Sequence, residues 1–102
     1  QASVWADLKT IAPDGISLDA EGALWIASDQ EVTRVREGGE VLDEITFDTH
    51  ISACMLGGPD GRTLLVTSAA SFDRRILHAR LTGTLYQVEV KIPGTALPSI
   101  YA

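Results

Sequence analysis

The apolar residues of the chain occur in short runs or alternate with polar residues, and almost none recur with the period of a helix. Glycine and aspartate interrupt these segments roughly every 8 to 12 residues, a spacing typical of all-β proteins. The Ala20-Glu21-Gly22 and Glu37-Gly38-Gly39 runs favour tight hairpin turns between neighbouring segments. The pattern therefore predicts eight short strands, at 16–19, 24–28, 32–36, 41–47, 53–56, 64–68, 76–80 and 85–92.

The second group of four predicted strands repeats the first. LWIAS at 24–28 matches LLVTS at 64–68, and VTRVREGGEV at 32–41 matches ILHARLTGTL at 76–85. A four-stranded antiparallel unit that recurs after about 40 to 45 residues is the signature of a β-propeller blade. The sequence thus predicts an all-β fold made of two four-stranded antiparallel blades.

We predict one blade at about 13–49 and a second at about 50–93. Within each blade the strands are expected to have different environments. The second strands, 24–28 and 64–68, are nearly all apolar, as expected of strands covered on both faces by neighbouring blades. In the fourth strands apolar residues alternate with polar ones. We expect these strands, including 85–92, to be the outermost of each blade. Two blades cannot close a ring, because the smallest closed propellers have about four. We expect the chain to belong to a larger ring, or to complete one with further copies of itself.

The composition of the chain disfavours some classes of binding partner and some cellular locations. A net charge of −6 and a pI near 4.6 disfavour nucleic acid and anionic membrane. No apolar run approaches the roughly 20 residues needed to cross a bilayer. The single cysteine, Cys54, excludes an internal disulfide and fits a reducing compartment, so we expect a cytoplasmic protein. The sequence begins with Gln1 rather than Met, which favours a fragment or a processed product.

Three stretches carry a resemblance to a known family: APDGISLDAEGALWIAS at 12–28, RVREGGEVLDEITF at 34–47 and SACMLGGPDGRTLLVTSA at 52–69. They resemble the senescence marker protein/gluconolactonase/luciferin-regenerating enzyme family, the regucalcin-like proteins. Members of this family are six-bladed propellers, and the resemblance extends from about residue 5 to 93. It implies that the chain is the C-terminal part of a single propeller domain, equivalent to the last two blades.

The resemblance also implies a metal site. In this family one divalent ion, calcium or zinc and also magnesium or manganese, lies at a mouth of the central channel. Its ligands are a glutamate near the N-terminus, an asparagine from a middle blade and an aspartate in a Pro-Asp-Gly run that opens an inner strand. Only the aspartate has a counterpart in this chain, and that counterpart is Asp14. The blades that carry the other two ligands are not in the sequence.

The reaction implied by the resemblance is hydrolysis of a sugar lactone, in which the metal polarises the carbonyl and lowers the pKa of a bound water. Asp14 would hold the metal, and the resemblance suggests that it also acts as the general base that receives the proton of the water. The alternative function is a non-catalytic calcium-binding or scaffolding propeller. A third class, the strictosidine synthase-like propellers, lacks this metal triad. The Pro-Asp-Gly-x-x-x-Asp-Ala-Glu-Gly run at 13–22 argues against that class.

The chain contains two Pro-Asp-Gly runs, and their positions differ. Asp14 opens the first predicted strand, where Gly15 allows close backbone approach and Pro13 stiffens the entry. Asp60 instead falls in a hairpin of the second blade, at the position that matches Glu21, where a turn residue is expected. For Asp14 the competing interpretation is a turn aspartate that caps its own backbone.

The remaining candidate residues do not show the sequence spacing of metal ligands or of a catalytic pair. His50 and His78 form no His-x-x-x-His or Cys-x-x-Cys pattern. We expect His78 on the surface, whereas His50, in the connection between blades, can approach the channel mouth. Cys54 has no partner pattern of a nucleophile and is expected to be a buried packing residue. Trp25 is expected to fill space between blades.

Overall fold

A computed structural model describes residues 1–69 and 83–95 of the chain. The strands within these residues are β1 (Ile16–Leu18), β2 (Leu24–Ser28), β3 (Glu31–Val35), β4 (Val41–Thr46), β5 (His50–Gly57), β6 (Thr63–Ala69) and β7 (Gly83–Glu89). Strands β1 to β4 form one sheet in chain order, β5 to β7 form a second, and all pairings are antiparallel. Helices are absent from these two ranges, so none there could span a membrane. The predicted all-β class is confirmed.

The first sheet follows the predicted order of strands. Its second strand, β2, has the predicted bounds, and β6 holds the equivalent second position in the other sheet. The β1–β2 and β3–β4 turns use glycine where the backbone enters the left-handed region: Gly22 has a φ of 82° and Gly38 a φ of 98°. Residues with a Cβ avoid this region, so these glycines account for the two hairpin signals.

The order of strands in the second sheet differs from the prediction. Segment 85–92 was expected to be the outermost, fourth strand, but β7 pairs directly with β6, with Leu85 opposite Thr67 and Tyr86 opposite Val66. The third strand predicted at 76–80 lies outside the described residues. The error arose because alternation of apolar and polar residues defines which face of a strand is buried and not which strand lies beside it.

The two sheets pack face to face through one hydrophobic cluster. Its fully or nearly fully buried members come from both sheets: Trp25, Ala27, Val32, Ile51, Cys54, Leu64 and Val66. The rings of Phe47 and Tyr86 extend this contact, with their centroids 4.9 Å apart. Burial of one large apolar side chain contributes about 1.5–3 kcal/mol to the stability of the folded state. The cluster therefore contributes strongly to the association of the two sheets. The prediction that Trp25 fills space between them is confirmed.

The N-terminal segment is bonded to both ends of the first sheet. The Gly38 amide at one end of the sheet donates to the Trp5 carbonyl at 2.9 Å, and the Asp14 amide at the other end donates to the Ala27 carbonyl at 2.9 Å. The residues between these anchors therefore extend from one end of the sheet to the other. On the face of β2 turned away from the hydrophobic cluster, Ile26 is almost fully buried. Strand β2 is thus covered on both faces, as predicted for an inner strand.

Strand β6 does not share this double coverage. Leu64 and Val66 are fully buried against the first sheet, but Thr67 on the other face is exposed. Its neighbours across the sheet on that face include Leu85, which is 64% exposed. Strand β6 is therefore buried on one face in this chain, and coverage of its other face by a further blade stays a prediction.

The chain that follows β7 joins the hairpins of the two sheets. The Ala20 amide donates to the Pro93 carbonyl at 2.8 Å, and the Gly94 amide donates to the Gly61 carbonyl at 2.9 Å. Asp19 and Gly94 also form an isolated antiparallel bridge. These bonds secure the sheets relative to each other at the end of β1 that is remote from Asp14.

Candidate functional site

Asp14 lies immediately before β1, at the end of the first sheet where β2 finishes. Its amide donates to the Ala27 carbonyl, and the Ala27 amide donates back to the Gly15 carbonyl at 2.8 Å. These two bonds tie Asp14 and Gly15 to Ala27 beyond the first residue of β1, so the Asp14 backbone is held against the end of β2. The side chain of Asp14 is exposed.

The carboxylate of Asp14 has no hydrogen bond or ion pair with any described residue, unlike the aspartates of the two hairpins. Asp60 accepts a hydrogen bond from the Arg62 amide at 3.0 Å, which is the contact of a turn aspartate. Asp19 accepts from the amides of Glu21 at 2.9 Å and Ala23 at 3.1 Å. The structure therefore lacks the backbone-capping contact on which the competing interpretation of Asp14 depends.

The two glycines that follow these aspartates also serve different purposes. A Cβ on Gly15 would lie 2.8 Å from Ala53 Cα and 3.0 Å from Ala53 Cβ, closer than real Cβ contacts allow. The Gly15 amide donates to the Ser52 carbonyl at 3.2 Å. Gly61, by contrast, has a φ of 74° in a turn. The predicted close approach at Gly15 is confirmed, and it occurs where the first strands of the two sheets meet.

The described part of the chain does not assemble a complete metal site. Residues 1–69 and 83–95 contain no group of three or more histidine, cysteine, aspartate or glutamate side chains that could hold an ion. What they offer is one exposed carboxylate, Asp14, without a competing partner in that part of the chain. Carboxylate oxygens suit calcium, magnesium and manganese and also bind zinc. The residues present therefore fit a metal ion only as the source of one ligand.

Cys54 is a packing residue, as predicted. Its side chain is 7% exposed, and its thiol donates to the Trp25 carbonyl at 3.4 Å. Burial raises the pKa of the Cys54 thiol to about 11. The thiol therefore stays protonated at neutral pH, and the thiolate needed for nucleophilic attack is not formed.

The structure does not place either histidine at the candidate metal site. His50 is the first residue of β5 and is half-buried, so it belongs to the second sheet rather than to a connection between sheets. Its approach to the channel mouth stays a prediction. His78 lies outside the described residues.

A buried ion pair between Asp19 and Arg34 was missed from the sequence. The Asp19 carboxylate is 0% exposed and accepts from Arg34 Nε at 2.7 Å, while Arg34 Nη2 donates to Glu21 Oε1 at 3.0 Å. The hydrogen bond with Asp19 is the main cause that raises the Arg34 pKa. The turn contacts of Asp19 could have been predicted from the Asp-Ala-Glu-Gly run. The partner on β3 could not, because it depends on the register between β2 and β3.

A cleft of about 460 Å³ lies between the first sheet and residues 88–92. Trp25, Arg34, Asp43 and Lys91 contribute to its lining, and Asp14, Gly15 and Ser52 do not. The cleft thus belongs to the boundary between the sheets, and the candidate metal ligand is outside it.

The chain is similar in sequence to a known protein family. The family model described as the SMP-30/Gluconolactonase/LRE-like region matches residues 1–70, which include Asp14 and strands β1 to β6. The search of curated proteins found no match to the chain.

Two solved structures resemble the chain over most of its length. A luciferin-regenerating enzyme is 29% identical, with a TM-score of 0.65, and the match covers 82% of this chain and 30% of that one. A regucalcin from Agrobacterium tumefaciens strain C58, described as a calcium-binding protein, is 25% identical, with a TM-score of 0.72. That match covers 96% of this chain and 36% of the regucalcin. The chain therefore spans about a third of the length of these two proteins.

Proposed function

The chain belongs to the SMP-30/gluconolactonase/LRE-like family, and from this we propose that it is part of a metal-dependent sugar lactonase. In this proposal its two sheets are blades of a six-bladed β-propeller, with blade one at about 13–49 and blade two at about 50–93. The observation that carries the proposal is the Asp14 carboxylate, which is exposed at the start of β1 and unpartnered among the described residues. A free carboxylate is suited to binding a ligand when its own backbone is bonded to β2 and the next residue, Gly15, is bonded to β5.

Asp14 would provide one ligand to a divalent ion, and the remaining ligands would come from other blades. A bound divalent ion supplies a Lewis acid for the lactone carbonyl and a water of lowered pKa. Asp14 Oδ would also accept the proton of the attacking water, because it has no other hydrogen-bond donor in the described part of the chain. The calcium-binding description of the similar regucalcin supports calcium as the ion. Zinc, magnesium and manganese are the other ions proposed.

The partner proposed for the second sheet is the remainder of the ring or a further copy of the chain. Met55 and Leu85 are 59% and 64% exposed and lie on the face of this sheet turned away from the first. In a closed ring this face would meet the next blade. The net charge of −6 supports a small-molecule substrate over nucleic acid. Cys54, a lone buried cysteine, supports the cytoplasm as the location.

A second candidate function is calcium binding or scaffolding without turnover. It is favoured by the description of the similar regucalcin as a calcium-binding protein. The lactonase and the calcium-binding function both need Asp14 as a metal ligand, and only the lactonase needs a water positioned for attack on a lactone. Measurement of turnover therefore separates them.

The test is lactone hydrolysis followed by pH-stat in the native full-length protein, before and after removal of divalent ions with a chelator. We expect the rate to require the metal and to fall about 100-fold or more in Asp14→Ala, since the variant loses a charged ligand. Asp60→Ala, the matched variant of the other Pro-Asp-Gly run, should keep the rate. Equal rates in the two variants would refute the lactonase proposal. Metal binding without hydrolysis of any sugar lactone would favour the second candidate.

A further inference from the structure

Strand β5 contains a bulge beside Asp14. On β6, Ser68 and Thr67 are consecutive, yet their partners on β5 are Ile51 and Ala53. Ser52 is therefore the extra residue, and it has no partner across the strand pair. A bulge leaves such a residue out of the ladder and turns its backbone groups in a new direction.

The carbonyl of this extra residue is used by the other sheet. Ser52 O accepts the hydrogen bond from the Gly15 amide at 3.2 Å. The Gly15 carbonyl accepts a hydrogen bond from the Ala27 amide of the first sheet at 2.8 Å. The Cα of Gly15 packs against Ala53 without space for a side chain. Gly15 is thus bonded to β2 in its own sheet and to the bulge of β5 in the second sheet.

We propose that Gly15 and the bulge at Ser52 form a positioning element that fixes the backbone of Asp14, from which its carboxylate reaches the metal. This inference rests on the proposed function, in which Asp14 is a ligand. The Asp14 side chain has no orienting partner within the described residues, so its backbone is the only part of the residue that is fixed there. Ligand distances in metal sites hold within about 0.2 Å, and displacement of Gly15 by a few tenths of an ångström is transmitted directly to Asp14.

The backbone of Ser52, and not its side chain, performs this role. The Ser52 hydroxyl lies 3.0 Å from the Thr67 hydroxyl, and this contact stays within the second sheet. Ser52→Ala therefore keeps the carbonyl that binds Gly15, and we expect it to keep metal affinity.

The test is calcium affinity, measured by calorimetry in the native full-length protein, with the melting temperature of the metal-free protein recorded for each variant. Gly15→Ala inserts a Cβ at 2.8 Å from Ala53 Cα, so β1 must move away from β5. We expect affinity to fall about 10- to 100-fold, the usual effect of losing a residue that supports a metal ligand. Gly61→Ala is the matched control, because it also destabilises a Pro-Asp-Gly run but at a turn remote from Asp14. Its affinity should equal that of the wild type.

A double variant distinguishes crowding from a general loss of stability. Ala53→Gly removes the Cβ that lies 3.0 Å from the added methyl group but keeps the Cα at 2.8 Å, so Gly15→Ala/Ala53→Gly should recover only part of the affinity. It also carries the test if Gly15→Ala alone does not fold. Unchanged affinity in Gly15→Ala, or an equal fall in Gly61→Ala, would overturn the inference. Asp14→Ala is measured in parallel: if it binds calcium as the wild type does, the proposed function itself has failed.

Discussion

The buried pair of Asp19 and Arg34 allows a stability prediction to be worked from the structure. Asp19→Ala removes the acceptor of three hydrogen bonds, two from the amides of Glu21 and Ala23 and one from Arg34 Nε. The Asp19 carboxylate is 0% exposed and the Arg34 side chain 15%, so water does not replace the lost partner. The pair is therefore expected to matter far more than a surface ion pair.

The magnitude follows from what the substitution leaves behind. Removal of one member of a buried ion pair costs about 3–5 kcal/mol, because the other charge stays buried without compensation. Arg34 keeps its hydrogen bond to Glu21, whose side chain is 61% exposed, so the lower end of this range applies. We expect Asp19→Ala to lower the free energy of unfolding by about 3 kcal/mol, which is about a 100-fold change in the folding equilibrium.

Urea denaturation followed by circular dichroism measures this effect, and Glu40→Ala is the control. Glu40 accepts from Arg36 Nη1 at 2.7 Å, the same distance as in the buried pair, but both side chains are more than 60% exposed. We expect this variant to lose about 0.5 kcal/mol or less. Similar losses in the two variants, or a loss below about 1 kcal/mol in Asp19→Ala, would refute the argument from burial.

Two further predictions concern Cys54 and the exposed face of the second sheet. The pKa of Cys54 is about 11 in the folded state and 9.0 in the unfolded state, so unfolding releases a proton between these values and stability falls as pH rises from 9 to about 11. One pKa unit corresponds to about 1.4 kcal/mol, and Cys54→Ala should lose this part of the pH dependence of urea denaturation; an unaltered dependence would contradict the assignment. Leu85→Glu places a charge on the uncovered face, where Leu85 is 64% exposed. It should reduce self-association of the 102-residue chain in light scattering, and a wild-type chain that is already monomeric would contradict the prediction.

Local sequence patterns were sufficient for much of the fold and for the contrast between the two aspartates. The apolar run of β2 and the glycines of the hairpins each carry their own signal within a few residues. The same holds for the two Pro-Asp-Gly runs, because one precedes a strand and the other separates two strands. In one run a side chain at Gly15 would not fit beside Ala53, and in the other run Gly61 adopts a positive φ.

Features that depend on which strands are neighbours were not accessible in this way. The alternation at 85–89 agrees with the inward positions of Tyr86 and Val88 on β7, but it did not reveal the place of this strand beside β6. The ion pair of Asp19 with Arg34 joins residues 15 positions apart and appears only once the register is known. The bulge at Ser52 likewise follows from the pairing of β5 with β6, because nothing in the local sequence distinguishes Ser52 from Ala53 as the extra residue.

The most direct test of the central claim, that Asp14 binds a metal and Asp60 shapes a turn, is a comparison of metal-induced thermal stabilisation. Differential scanning calorimetry is run on the native full-length protein and on Asp14→Ala and Asp60→Ala, with and without calcium. An ion that binds only the folded state stabilises it by about 2.7 kcal/mol at 100 times its dissociation constant. We predict that Asp60→Ala melts lower than the wild type but keeps the calcium-induced rise, and that Asp14→Ala loses the rise. A calcium-induced rise of wild-type size in Asp14→Ala would contradict the claim.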